Sequence, residues 1–299
     1  MSDRWEYARQ HGAMHCKNAF ILLTGICAVL TLGMIAIRYR TDMLPLPVFG
    51  SSSCDDAILS FKRQRNSLSA QLNRMKQQFG MKSCELLALQ LKGDKSGKQR
   101  YGIVSTNGGW CKDESRSSSK SHIFDKGFAD ALANFFKGKK VASFGDGPGD
   151  YKKYIDKSQL VTLYDAYDGA PYCEETTSGL VNFLDLTAPQ YGLPVYDWVM
   201  SVEVAEHIPA KYESVYLDNI FRHAQEGIVL SWAVPGQGGL SHVNLKSFKD
   251  VRKLLLDNGY ELDPKPGEVL RNAAVQAWLK QNVYVYRRIS KVPLPVDNA

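Results

Sequence analysis

The sequence predicts an α/β domain, a mainly parallel sheet with helices on both faces, filling the C-terminal half of a 299-residue chain. Three observations predict it. From residue 141 onward, short apolar segments alternate with amphipathic helical ones, the pattern of a sheet built from strand–helix units. The first of these segments runs directly into Gly145-Asp146-Gly147-Pro148-Gly149, a tight turn whose missing side chains let a ligand approach the backbone. An uncharged stretch at residues 19–37 lies well apart from that region and has a different role.

Taken in order, residues 1–18 read as a short tail. Residues 19–37 carry no charged side chain and would span about 28 Å as a helix, close to a hydrocarbon core of roughly 30 Å. A soluble helix would need a polar face, and this segment has none. A cleaved signal peptide is the competing reading. Arg38-Tyr39-Arg40 follows at once, without a small-residue cleavage site, so the segment reads as an uncleaved signal anchor. Arg4, Arg9 and Lys17 precede it and Arg38 and Arg40 follow. That small cytoplasmic bias of the N-terminus predicts a type II protein with its C-terminal bulk in the lumen of the secretory pathway or Golgi, the opposite orientation staying open.

Residues 38–90 read as a linker rich in Pro, Gly and Ser, followed by a helical stem. In the stem Phe61, Leu68 and Met75 recur every seven residues, and Leu72 and Phe79 form a second seam. Both a coiled coil and a helix packed on its own domain satisfy this pattern. Residues 91–138 form a loop-rich lead-in, with Gly108-Gly109-Trp110-Cys111 inside it and an amphipathic helix over 122–136. Within residues 139–299 strands are expected at 141–144, 160–164, 180–183, 198–202, 227–232, 260–262 and 283–286. Helices are expected at 211–224 and 247–258.

The net charge of +6 divides unevenly. Residues 1–140 hold 22 Lys and Arg against 11 Asp and Glu, whereas residues 141–299 hold 15 against 20. An enzyme acting on nucleic acid usually surrounds its active site with positive charge, and the region of the glycine turn is acidic, which argues against a nucleic-acid substrate. Six cysteines occur. Cys16 and Cys27 belong to the tail and the span, leaving Cys54, Cys84, Cys111 and Cys173, an even number able to form two disulfides in an oxidising lumen or to remain thiols in a reducing one. Nothing in their spacing makes a metal site, and no glycosylation sequon occurs.

The chemistry-bearing residues follow the strands. Gly145, Asp146, Gly147 and Gly149 form the turn, and its G-x-G-x-G spacing is not the G-x-G-x-x-G of most dinucleotide sites. Asp165, twenty residues past Gly145 and at the expected end of the second strand, can accept hydrogen bonds from both hydroxyls of a ribose. Asp168 is the alternative, and capping of a helix is the non-functional reading of either. Asp185, at the tip of the third strand, can accept from an adenine amino group or cap the next turn. The fourth strand, YDWVMSVEVAEHIP at 196–209, contributes Ser201 and Glu203 to the cofactor side. Glu203, Glu206, His207 and, in the Gly-rich loop 235–244, His242 are candidate general bases, with helix capping and turn packing as the alternative.

Taken together, the glycine turn, the acidic residues of the second and third strands, and the fourth-strand segment with Asp197, Ser201, Glu206 and His207 resemble the class I S-adenosylmethionine-dependent methyltransferases over residues 139–289. Gly108-Gly109-Trp110-Cys111, Tyr164-Asp165-Ala166 and SWAVPGQGGLSHVN resemble the methyltransferase-like 24 group more closely. The resemblance implies a Rossmann-like seven-stranded sheet in the order 3-2-1-4-5-7-6 and S-adenosylmethionine as cofactor, with the acceptor unidentified; a luminal site points to a secreted protein, a glycan or a small molecule. The chain departs from the family at Ser143, where many members carry Asp two residues before the first glycine. A non-catalytic binding or scaffold protein on the same fold is the first rival, and a nicotinamide-dependent oxidoreductase the second.

Overall fold

A computed structural model describes residues 54–92, 104–112 and 122–289 of the chain. The expected span at 19–37 lies outside the described residues. Among the described residues no helix is long and apolar enough to cross a membrane.

The sheet is built from β1 (Lys140–Phe144), β2 (Leu163–Asp168), β3 (Asn182–Phe183), β4 (Tyr196–Ser201), β5 (Ala224–Leu230), β6 (Tyr260–Leu262) and β7 (Tyr284–Arg288). Their order is β3-β2-β1-β4-β5-β7-β6, with β7 antiparallel to both neighbours and the other pairs parallel. This is the order the resemblance implies, so the fold is a methyltransferase-like α/β fold with a seven-stranded mixed sheet. The reversal at β1, where the chain leaves toward β2 on one side and β4 on the other, opens a crevice at the C-terminal ends of the strands.

Alternation along each strand sends side chains to two separate cores. Val141, Tyr164, Met200 and Val285 join one, with α2 (Lys126–Phe135), α7 (Pro264–Ala273) and α8 (Ala277–Asn282) packed over it. Ala142, Phe144, Val199 and Tyr286 join the other, under α5 (Glu213–His223) and α6 (Phe248–Asp257). A register shift between Tyr196 and Trp198 breaks the alternation, so that these two residues, an even number apart, face opposite cores. The helix α2 is started by Asp125, whose carboxylate accepts from the Phe128 amide at 3.0 Å and from the Val275 and Gln276 amides at 2.6 and 2.8 Å. One buried carboxylate thus caps α2 and holds the entry to α8.

The stem is a single helix, α1 (Cys54–Lys92), of 39 residues. It packs on its own domain through polar groups. Asn73 donates to the Phe183 carbonyl at 2.9 Å and accepts from the Asp185 amide at 2.9 Å, while Ser69 donates to the Pro189 carbonyl. Its C-terminal part is tied by a disulfide between Cys84 and Cys111 of the lead-in. Cys173 is a buried thiol, which its burial holds well above the ordinary thiol pKa. Of the two disulfides the cysteine count allows, the described residues therefore contain this one. The seam at Phe61, Leu68, Leu72, Met75 and Phe79 does not face the domain but solvent.

Candidate functional site

The glycine turn leaves β1 with Gly145, Gly147 and Gly149 at φ of 99°, 62° and 78°, the left-handed region that other residues enter at a cost. The Gly145 and Asp146 amides both donate to the Tyr167 carbonyl, at 2.8 and 2.9 Å, which fastens the turn to β2. A side chain at Gly145 would meet Val204 Cγ2 at 2.1 Å, so the turn and the segment after β4 approach as closely as glycine permits. The helix α3 (Asp150–Ser158) starts from Gly149 with no side-chain cap.

Asp168 stands at the tip of β2. Its two carboxylate oxygens accept from the Gly147 amide at 2.8 Å and the Ala170 amide at 2.7 Å. Burial raises its pKa, and these two amide bonds oppose that rise. Each oxygen keeps a lone pair for a ligand hydroxyl. This corrects the expectation for Asp165. The strand runs three residues further than its apolar start suggests, so Asp165 is paired with Ala142 in mid-strand and accepts from the Tyr196 hydroxyl at 2.8 Å.

Of three further cofactor candidates, Asp185 and Ser201 turn away, and Asp146 lines the cavity with its carboxyl turned inward. Asp185 is buried, accepts from the Thr187 amide and hydroxyl at 2.8 and 2.6 Å, and faces Lys76 of α1 at 3.7 Å. Its neighbours Leu184 and Leu186 line the cavity instead, because the chain alternates there. Ser201 is buried between the Phe144 carbonyl at 2.8 Å and the Tyr216 hydroxyl at 2.9 Å. The Asp146 carboxyl points inward, accepting from the Tyr164 hydroxyl at 2.9 Å, and burial lifts its pKa to about 7. Ser143 also hydrogen-bonds to it.

The other wall comes from the segment after β4. Glu203 sits at φ 59°, an uncommon backbone for a side chain of its size, and its amide donates to Ser231 Oγ at 2.6 Å while that hydroxyl donates to Glu203 Oε1 at 2.8 Å. A turn of 3-10 helix over Ala205–His207 follows. Glu206 is fully buried. Its carbonyl accepts from the Val243 and Asn244 amides, which docks the Gly-rich loop carrying His242 against this turn. The His207 Nδ1–H donates to the Ser241 carbonyl at 3.3 Å, since a carbonyl can only accept. Burial, reinforced by the neighbouring His242, pushes His207 down to about 4, so it is neutral at physiological pH. Burial first, then the charge of Glu203, raises Glu206 well above the ordinary carboxylate range, and burial raises Glu203.

The cavity between these walls measures about 570 Å³, within the range of sites that take a small organic ligand. It holds together the glycine turn, Asp168, Glu203, His207 and His242, with Glu206 beneath His242 at 4.0 Å. Asp165, Asp185 and Ser201 stay outside it. The sequence did not reveal the residues that close it: Asn107, His122, Tyr151 and Trp278. One available signal was the Gly108-Gly109 pair. A side chain at Gly109 would meet the Gly169 carbonyl oxygen at 2.1 Å, and one at Gly108 the His207 carbonyl oxygen at 2.3 Å. The lead-in is thus clamped between the tips of β2 and β4, where Asn107 donates to the Gly169 carbonyl at 3.0 Å. Trp110 lies edge-on to both His122 and His207, ring centres 6.0 Å apart in each case.

Among known proteins, no family model and no curated protein matches the chain. Solved structures do match. A magnesium protoporphyrin IX methyltransferase from Synechocystis with bound S-adenosylhomocysteine is 17% identical, covering 54% of this chain and 81% of that one, with a TM-score of 0.41. A phosphoethanolamine N-methyltransferase from Haemonchus contortus, solved with its phosphorylated ligand and S-adenosylhomocysteine, is 14% identical, covering 57% of this chain and 54% of that one, with a TM-score of 0.38. The assignment of fold rests on the strand order rather than on these likenesses.

Proposed function

We propose that the protein is an S-adenosylmethionine-dependent methyltransferase anchored in a membrane of the secretory pathway, related to the methyltransferase-like 24 group. The observation that carries the enzymatic part is the pairing of a close-approach glycine turn with a strand-tip carboxylate, Gly147 to Asp168, at the crevice where the strand order reverses. A nucleoside fits this edge: Asp168 offers free lone pairs to ribose hydroxyls, and Leu184, Leu186 and Ile208 offer apolar surface to a base. When bound, the cofactor supplies an electrophilic methyl group on a sulfonium.

The chain's own residues do the rest. Trp110, Phe124, Tyr151 and Trp278 surround the cavity and limit water. The acceptor, a small molecule, a glycan or a side chain of a protein, enters on the side of Glu203, His207 and His242. A hydroxyl or amine acceptor surrenders a proton as the methyl arrives, and Glu203, whose carboxyl burial makes more basic than usual, is placed to take it. The Cys84–Cys111 disulfide supports a luminal, oxidising location, as the uncharged segment at 19–37 supports the anchor.

The test is transfer. Full chain and cofactor labelled in the methyl group are incubated with a fractionated cell extract, alongside the Asp168→Ala variant. Label that appears in a product with the wild type and not with the variant supports the reading. Binding of cofactor without any transfer to any fraction supports the non-catalytic alternative. Glycosylation of a sequon placed in the 41–53 linker or near Lys95 tests the luminal orientation separately.

A further inference from the structure

Glu206, His207 and His242 each present a ligand-type atom, and the three atoms lie within 4.8 Å of one another. We infer that they form a site for a single divalent first-row transition-metal cation. The first reason is the state of Glu206. Its side chain is 0% exposed, and neither carboxylate oxygen has a hydrogen-bond partner. Buried polar groups are almost always satisfied, and a buried carboxyl group with neither oxygen paired is costly to leave unmet. The His242 imidazole lies beside it, Nε2 at 4.0 Å from Oε1.

The second reason is how the two imidazoles are held. His207 Nδ1 faces the Ser241 carbonyl at 3.3 Å, and His242 Nδ1 faces the Gln237 carbonyl at 3.4 Å. Both Nδ1 atoms are thus engaged by backbone of the same loop, which leaves each Nε2 as the acceptor nitrogen. Metal-binding histidines are held in this manner, with the second nitrogen donating to a carbonyl or carboxylate. The loop itself is pinned to Glu206 through its carbonyl, so the ligands move as one group. Metal–nitrogen and metal–oxygen bonds of about 2.0–2.2 Å need the three atoms to draw together by roughly 1 Å. Two imidazoles with a carboxylate select zinc, manganese, iron or cobalt over magnesium and calcium, which prefer oxygen alone.

The use of this cation, to hold an acceptor atom beside the methyl donor, rests on the methyltransferase reading; its binding does not. The full chain is stripped with chelator and titrated with Co²⁺, then Zn²⁺, with neither cofactor nor acceptor present. The expected result is one Co²⁺ per chain with visible d–d absorption, bleached by Zn²⁺, and a rise in Tm with either metal. His242→Ala and Glu206→Gln are each expected to weaken binding at least tenfold. The Glu206→Gln amide matches the carboxyl it replaces in size, so the variant without metal should keep the wild-type Tm, and a loss of binding at an unchanged Tm cannot be laid to misfolding. No stoichiometric uptake, uptake unchanged in both variants, or an intense thiolate-to-cobalt band placing the metal on cysteine would each overturn the site. Co²⁺ binding without cofactor binding would leave this site standing and the methyltransferase reading fallen; the reverse result would do the opposite.

Discussion

The Gly147 amide and the Asp168 carboxylate are joined by a 2.8 Å hydrogen bond that makes the turn after β1 and the tip of β2 a single edge of the cavity. Because Asp168, and not Asp165, occupies that edge, the two residues should respond differently to the same change. Asp168→Ala should weaken cofactor binding by about 1.5–3 kcal/mol, the worth of hydrogen bonds to a charged acceptor. Asp165→Ala should leave affinity within about twofold, since it removes a partner of the Tyr196 hydroxyl outside the cavity. Titration of both variants with S-adenosylhomocysteine, with circular dichroism to check the fold, decides it. Equal losses would mean that the cavity edge is assigned to the wrong carboxylate.

Gly109 has no space for a side chain, because the obstructing atom is the Gly169 carbonyl and cannot rotate aside. Gly109→Ala is expected to cost about 1–3 kcal/mol, as overpacked sites do. The lead-in would also shift away from β2, carrying Trp110 with it. Chemical denaturation and Trp fluorescence of the variant measure the two effects together; an unchanged midpoint and spectrum would contradict the clamp.

Asp146 carries a folded-state pKa of about 7 against an ordinary value of 3.8, with burial as the main cause. A carboxyl whose folded pKa is raised contributes its stability below the unfolded pKa and loses it as pH climbs through the folded one. Stability should therefore fall between about pH 4 and pH 7 by up to about 1.4 kcal/mol per pH unit from this group. Asp146→Asn, which keeps an oxygen for the Tyr164 hydroxyl, should show a flatter pH profile than the wild type. Urea midpoints at several pH values test this, and parallel profiles would count against a buried, protonatable Asp146.

The Cys84–Cys111 disulfide closes a separation of 27 residues and fixes the lead-in to the stem. Cys111→Ser should lower stability by about 2–4 kcal/mol. In protein isolated from the cells that make it, alkylation before reduction should leave both residues unlabelled in peptide mass spectra. Full labelling of both without reductant would remove the support for an oxidising compartment.

Much of the fold was legible because strand and helix periods differ. The seven strands were placed within a few residues, and the glycine turn was located to the residue. Position 165 was misjudged for a local reason. The segment 160–164 is apolar and β-branched, yet Leu160 and Val161 pack as a loop against the core while the strand proper continues through Tyr167 to Asp168. The shorter helices α3, α7 and α8 escaped because α3 is largely polar and α7 begins with two prolines. The grouping of Glu206, His207 and His242 was half visible, since adjacent Glu and His mark a turn. That His242 returns to meet them depends on backbone bonds to the Glu206 carbonyl, which no sequence pattern encodes. The lead-in's part in the cavity was hidden for the same reason: its contacts at Gly169 and His207 are between residues about sixty and one hundred positions apart.

Binding of S-adenosylmethionine in this cavity is tested by calorimetric titration of the full chain with S-adenosylhomocysteine and, in parallel, with NADH. One site per chain is expected for the first, of micromolar affinity, about −8 kcal/mol, weakened by about 1.5–3 kcal/mol in Asp168→Ala, and no heat with the second. A folded protein that gives no heat with S-adenosylhomocysteine, or one that binds NADH in its place, would contradict it.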